Sequence, residues 1–183
     1  LDKDTTGLMV VAKTLEAHTQ LVAQLQARTV SRIYECIVIG VVTSGGTVDA
    51  PIGRSSANRQ RMAVIEGGKP AVSHYRVLER FRSHTHVRVK LETGRTHQIR
   101  VHMTYAGFPL VGDPVYAGRF RIPPAASPTL VQTLKEFPRQ ALHARFLELK
   151  HPTTGKRMKW ESPLPEDLVW LLSLLRQDHE SFV

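Results

Sequence analysis

Two short segments of the 183-residue sequence concentrate side chains that could do chemistry. The first, residues 1–7 (LDKDTTG), places Asp2 and Asp4 among two threonines and a glycine, and a carboxylate can act as a nucleophile. The second, residues 94–102 (GRTHQIRVH), holds two arginines and two histidines near a predicted helix start, which suits phosphate or a base edge. A solvated turn and a solvated amphipathic helix would have the same composition. The residues alone do not favour Asp2 over Asp4.

Nine histidines raise the question of a metal site. His84 and His86 are two residues apart on a predicted strand, and His97 and His102 are five apart, so neither pair has the i, i+4 spacing of a helical zinc motif. The single cysteine, Cys36, excludes an internal disulfide and a multi-cysteine zinc site. We therefore expect no metal, and histidines that lie at the surface or face RNA.

The charge of the chain favours a polyanionic partner. Lysine and arginine number 25 against 16 acidic residues, a net charge of +9. Three of these cations, Arg54, Arg59 and Arg61, lie in residues 53–62 (GRSSANRQRM), which we predict to be an exposed basic loop that binds RNA or is merely solvated. No apolar run approaches the roughly 20 residues of a membrane span. Nucleic acid therefore ranks ahead of lipid.

The apolar patterns predict one α+β domain, built around a mixed, largely antiparallel sheet that helices flank. Strands are predicted over residues 8–14, 31–42, 71–81, 84–92, 141–150 and 156–160. Helices are predicted over residues 15–28, 96–105, 128–136 and from Pro165 onward. Alternation in the fourth strand turns Val87 and Val89 inward and His84 and His86 outward.

The opening segment LDKDTTGLMVVAKT resembles the signature of the pseudouridine synthases of the A/D type, which act on ribosomal and transfer RNA. Other landmarks of that family match in order: Arg32–Tyr34, Gly68–Ala71, Gly94–Met103, Leu110–Tyr116 and Ala141–Ala144. The resemblance covers most of the chain and is greatest to the bacterial D-type branch, which acts on large-subunit ribosomal RNA. It implies the catalytic fold of that family over residues 1–183, and isomerisation of uridine to pseudouridine without a cofactor.

The resemblance also implies roles for individual residues. The catalytic aspartate of the family falls on Asp2, its active-site tyrosine on Tyr34, and the arginine that pairs with the aspartate on Arg100. Leu142 falls at the apolar contact with the target base. An arginine beside Asp2 would orient the carboxylate and favour its ionised form, and the ring of Tyr34 could stack on uracil. The other expected substrate contacts are Arg95, His97, Arg54, Arg59 and Arg61.

The chain departs from the family pattern where it begins. The His-Arg pair that normally precedes Leu1-Asp2 is missing, as are the earlier strands of the catalytic domain and the S4-type RNA-binding domain that often precedes them. We therefore expect a truncated catalytic domain in which Asp2 lacks its preceding anchor and which is less active than its parent.

The expected protein is a monomeric cytoplasmic enzyme whose partner is large-subunit ribosomal RNA or an assembling ribosomal subunit. Three alternatives remain open. They are a synthase acting on transfer RNA or several RNAs, an RNA-binding module without catalysis, and a metal-independent nuclease that uses His97 and His102. A nuclease would shorten the RNA, whereas isomerisation leaves its length unchanged.

Overall fold

The computed structural model describes residues 1–182. Within them the strands are β1 (Thr6–Gly7), β2 (Ser31–Ile39), β3 (Gly46–Asp49), β4 (Ile52–Arg54), β5 (Met62–Val64), β6 (Val72–Arg80), β7 (His84–Leu91), β8 (Leu142–Lys150) and β9 (Arg157–Glu161). The helices are α1 (Leu15–Gln26), α2 (Gln98–Tyr105), α3 (Pro128–Lys135) and α4 (Glu166–Glu180). Each helix agrees with its predicted bounds to within two residues. No helix of this part of the chain combines the length and apolar character that a membrane crossing requires.

Seven strands form one sheet in the order β1-β8-β2-β7-β6-β3, with β9 paired to β8. Every pairing in it is antiparallel except that of β1 with β8, which confirms the mixed, largely antiparallel sheet. Strands β4 and β5 form a separate two-stranded hairpin.

Both faces of the sheet are covered, and β2 lies between the two layers. Ile37 packs with the apolar residues of α3 and α4 on one face. Its neighbours Cys36 and Val38 pack with Ile99 and Met103 of α2 on the other face. This alternation is the period of two that a strand imposes, and it directs the odd and even residues of β2 to different cores.

The strand predicted over residues 8–14 is wrong, because only Thr6 and Gly7 pair with the sheet. The chain then runs irregularly, and the side chains of Met9 and Val11 are 64% and 68% exposed. β1 pairs with β8 at His143 and Ala144, and β9 pairs with β8 from Phe146 onward. That edge of β8 is therefore occupied, and residues 8–14 have no free strand to join.

The histidines predicted to face outward on β7 are also placed differently, because His84 and His86 are buried. They do lie opposite Val87 and Val89, but the second core covers that face too. His86 bonds Glu35 at 3.0 Å, and Arg88 donates to the same carboxylate. Burial would raise the pKa of Glu35, but these two hydrogen bonds outweigh it and lower the pKa to about 2.

The basic segment over residues 53–62 is only partly a loop. Its ends belong to β4 and β5, which pair from Ile52 with Val64 to Arg54 with Met62, and residues 55–61 form the irregular connection. The basic residues are therefore presented by a short hairpin.

Candidate active site

A cavity of about 510 Å³ opens where three distant segments of the chain meet. Asp2 comes from the first segment, Tyr34 from the start of β2, and Leu142 from the first residue of β8. The loop before α2 completes the wall with residues 94–97. The structure thus brings together an acid, an aromatic ring and an apolar side chain that lie up to 140 positions apart in the sequence.

Asp2 is held in place by the residues that follow it. The side-chain amide of Gln140 donates to the carbonyl oxygen of Lys3 at 2.7 Å, and β1 lies parallel to the start of β8. At Gly7, φ is +107°, and a Cβ there would lie 2.2 Å from the carbonyl oxygen of Ala144. Only glycine allows this close approach. The segment that carries Asp2 is therefore held by contacts of the residues that follow it.

Arg100 connects Asp2 to a second, fully buried aspartate. Its guanidinium donates to both carboxylate oxygens of Asp113, at 2.7 and 3.0 Å, and to Asp2 at 3.4 Å. Backbone N–H groups of Val115 and Tyr116 also donate to Asp113. Burial would raise the pKa of Asp113, but the bonds from Arg100 and these amides lower it. Asp113 therefore fixes the guanidinium and leaves one N–H directed at Asp2.

Tyr34 and Leu142 supply the apolar part of the cavity. Tyr34 packs with the core cluster that contains Cys36, and Leu142 is 3% exposed. Burial raises the pKa of Tyr34, with Asp2 adding to the effect and Arg32 opposing it. The phenol is therefore neutral at pH 7, and Tyr34 lines the same cavity as Asp2.

His97 links the cavity to the basic hairpin through Tyr116. The Nδ1 atom of His97 lies 2.8 Å from the hydroxyl of Tyr116, which accepts a hydrogen bond from the backbone N–H of Met62 in β5. The guanidinium carbon of Arg61 lies 5.4 Å from the centre of the Tyr116 ring. Burial and the positive charge of Arg100 lower the pKa of His97, so the imidazole is neutral at pH 7.

The remaining basic candidates are divided between the cavity and the hairpin. Arg95 lines the cavity, and its Nε donates to the carbonyl oxygen of Pro70 at 2.8 Å. Arg54 and Arg59 are exposed on the hairpin, where the Arg54 side chain donates to the Arg59 carbonyl oxygen at 2.9 Å, and neither lines the cavity. Arg61 does not line the cavity either, but it contacts Tyr116, whose hydroxyl is bonded to the cavity residue His97.

Sequence reasoning assigned no role to three residues of this site: Arg32, Asp113 and Tyr116. Each lies in a segment that matches the family landmarks, which was the only signal available. Composition and spacing could not show that a buried carboxylate 13 positions after Arg100 would bind it. Across residues 1–182, no group of three or more His, Cys, Asp or Glu side chains is arranged to hold a metal ion.

Known proteins match this chain in sequence and in fold. The family model for RNA pseudouridylate synthase matches residues 1–105. The chain is 83% identical, over 183 residues, to ribosomal large subunit pseudouridine synthase D of Pseudomonas aeruginosa, covering 100% of this chain and 57% of that protein. It is 58% identical over 180 residues to the Escherichia coli K12 protein of the same name, covering 98% of this chain and 55% of that protein. The chain thus spans little more than half the length of these relatives.

A solved structure shows the same architecture. The human RNA pseudouridylate synthase domain containing 4 superposes with a TM-score of 0.75 at 29% identity, covering 96% of this chain and 74% of that one. The fold matches over nearly the whole chain, and the family model covers more than half of it. The chain belongs to the RNA pseudouridylate synthase family.

Proposed function

We propose that this chain is the catalytic domain of a cytoplasmic, monomeric enzyme that isomerises particular uridines of large-subunit ribosomal RNA to pseudouridine. One observation carries the proposal, namely that Asp2, Tyr34 and Leu142 line one cavity while Arg100 donates to the Asp2 carboxylate. Family membership supports the reaction, and the names of the bacterial relatives support the substrate.

The reaction breaks the bond between C1′ and N1 of the nucleotide and forms a new bond between C1′ and C5. The proton at C5 is lost and N1 gains one, so the atoms balance and no oxidant or reductant is needed. Asp2 would bond covalently to the nucleotide, or stabilise it, while the base is detached and turns. Arg100, itself held by Asp113, directs the carboxylate. Tyr34 would stack on the uracil ring, where its neutral hydroxyl can assist proton transfer.

The target base must leave its stack to enter a cavity of this size. Arg95 and His97 lie at the cavity wall and would bind the substrate directly. Arg54, Arg59 and Arg61 would bind phosphates of the same RNA from the hairpin, which Tyr116 attaches to the cavity wall. Binding that depends on these cations should weaken as salt is raised.

Tritium release tests the proposal directly. Unmodified large-subunit ribosomal RNA, labelled with tritium at uridine C5, should release label with this chain and should keep its length. Asp2→Asn should abolish release and leave RNA binding intact, because only the carboxylate charge is removed. Asp4→Asn is the matched control, since Asp4 is exposed and adopts a left-handed backbone that asparagine tolerates.

The alternatives give different results in the same assay. If Asp2→Asn kept turnover within tenfold of the original chain, the proposed role of Asp2 would be wrong. Release of tritium from transfer RNA but not from ribosomal RNA would identify transfer RNA as the substrate. Tight RNA binding without release from either RNA would indicate a binding module, and shortened RNA a nuclease.

A further inference from the structure

Arg32 lies two residues before Tyr34 on β2, and it lines the same cavity as Asp2. Its guanidinium is poorly satisfied by the protein. The Nε atom is buried and has no hydrogen-bond partner among residues 1–182. The NH2 group has one long contact, 3.5 Å from the backbone carbonyl oxygen of Glu92. Donors of this kind normally find acceptors when they are withdrawn from water.

Arg32 also lacks a counter-ion. In the part of the chain that the structure describes, no carboxylate lies within 4.0 Å of its guanidinium. The nearby carboxylate of Glu92 is instead bonded to Arg28 and to His74, both at 2.5 Å. Asp2, the one acidic side chain at the cavity wall over residues 1–182, is bonded to Arg100. Arg32 is therefore without a direct ion pair in residues 1–182.

The backbone at Gly94 lies in close contact with the Arg32 side chain. A Cβ at Gly94 would lie 2.4 Å from the NH1 atom of Arg32, closer than two non-bonded atoms can approach. Any side chain at residue 94 would therefore move the guanidinium or the loop. The loop at Gly94 therefore lies directly against the guanidinium of Arg32 at the cavity wall.

We propose that Arg32 is a phosphate-binding subsite of the cavity, and that it binds the phosphodiester of the nucleotide whose base enters beside Tyr34. The inference rests on the proposed function, because it takes RNA as the substrate. A guanidinium fork matches two phosphate oxygens and supplies charge-assisted hydrogen bonds. The uracil base is neutral, whereas a phosphate supplies further acceptors for the guanidinium and a counter-ion, which residues 1–182 do not place within 4.0 Å of it.

The first test compares Arg32→Met with Arg28→Met, because Arg28 is an exposed arginine that pairs with Glu92 and does not line the cavity. Arg32→Met should raise KM for the RNA by about tenfold or more with a smaller change in kcat, since an ionic hydrogen bond is lost in binding. It should also reduce the slope of log(kcat/KM) against log[salt] by about one. Arg32→Lys should restore part of the affinity, and Arg28→Met should change neither quantity.

Thermal unfolding separates binding from a structural role. Arg32 is partly buried, and no carboxylate of residues 1–182 pairs with it, so its replacement by methionine should leave the melting temperature unchanged or raise it. Gly94→Ala keeps the charge of Arg32 but displaces its guanidinium. It should therefore raise KM for the RNA, as Arg32→Met does. A large fall in melting temperature for Arg32→Met, with an unchanged salt slope, would show that the residue is structural and overturn the proposal.

A second test does not depend on turnover. Uridine 5′-monophosphate and uridine are titrated into the chain separately and followed by NMR, so that the phosphate is their only difference. The monophosphate should bind more tightly, and the preference should disappear in Arg32→Met but remain in Arg28→Met. This result supports the subsite even if no uridine is isomerised, in which case only the proposed function fails. Equal or undetectable binding of both ligands, or a preference that survives Arg32→Met, overturns the subsite.

Discussion

Asp113 is the residue whose replacement should disturb the site most without touching the substrate. Its side chain is fully buried, and its two oxygens accept the paired hydrogen bonds from Arg100. Asp113→Asn keeps the volume but removes the buried negative charge, so the guanidinium of Arg100, 4% exposed, keeps only the carboxylate of Asp2, at 3.4 Å, as an ionic partner. Breaking a buried ion pair in this way costs about 3–5 kcal/mol of the free energy of unfolding. Asp167→Asn, which breaks a partly exposed pair with Arg139, should cost about 1 kcal/mol or less.

A double-mutant cycle sharpens this prediction. Arg100→Met should also be strongly destabilising, because it leaves Asp113 buried without its counter-ion. The double variant removes both charges, so its cost should be smaller than the sum of the single costs by about 2–3 kcal/mol. Turnover should remain lost in all three variants, since Asp2 no longer has a correctly placed arginine beside it.

Urea unfolding at pH 7, together with tritium release, measures both effects. The folded state lowers the pKa of Asp113, so the stability that its charge contributes is complete above the unfolded pKa of about 3.9 and is lost as the pH falls below it. The difference in the free energy of unfolding between the original chain and Asp113→Asn should therefore become smaller below about pH 4. If the two single costs were additive, or if Asp113→Asn kept full turnover, Asp113 would not hold Arg100 in the way that we describe.

Two further perturbations test the anchoring of Asp2 and the burial of β7. Gly7→Ala should destabilise the fold more than Gly67→Ala. Both glycines have positive φ, but of the two only Gly7 has an obstructing neighbour, the Ala144 carbonyl oxygen. The free energy of unfolding and the rate of tritium release should therefore both fall in Gly7→Ala and not in Gly67→Ala. Burial lowers the pKa of His84 to about 4 in the folded state. As the pH falls, the unfolded state therefore takes up a proton on His84 before the folded state does, and the free energy of unfolding should decrease by about 2 kcal/mol between pH 6.5 and 5. His84→Gln should remove that part of the pH dependence, and an unchanged dependence would contradict it.

The helices and the β6–β7 hairpin could be predicted from the sequence because their signals are local. Ser127 caps α3 directly before Pro128, and Gly107 follows the end of α2. The strand over residues 8–14 could not be predicted correctly, because its formation depends on whether an edge of β8 is free. The prediction that His84 and His86 face outward was wrong for a related reason. Alternation separates the two faces of a strand, but it does not reveal that a second core covers the polar face.

The choice between Asp2 and Asp4 shows the same limit within the site. In an extended strand, residues two apart point to the same side, so nothing in the residues themselves separates the two acids. Here the left-handed backbone of Asp4, with φ of 68°, breaks that alternation. Asp2 then lines the cavity beside Arg100, while Asp4 is exposed. The turn depends on long-range contacts such as the bond from Gln140 to Lys3, which no local pattern encodes. Comparing Asp2→Asn with Asp4→Asn therefore tests this turn as well as the nucleophile, because equal losses of turnover would mean that both acids reach the cavity.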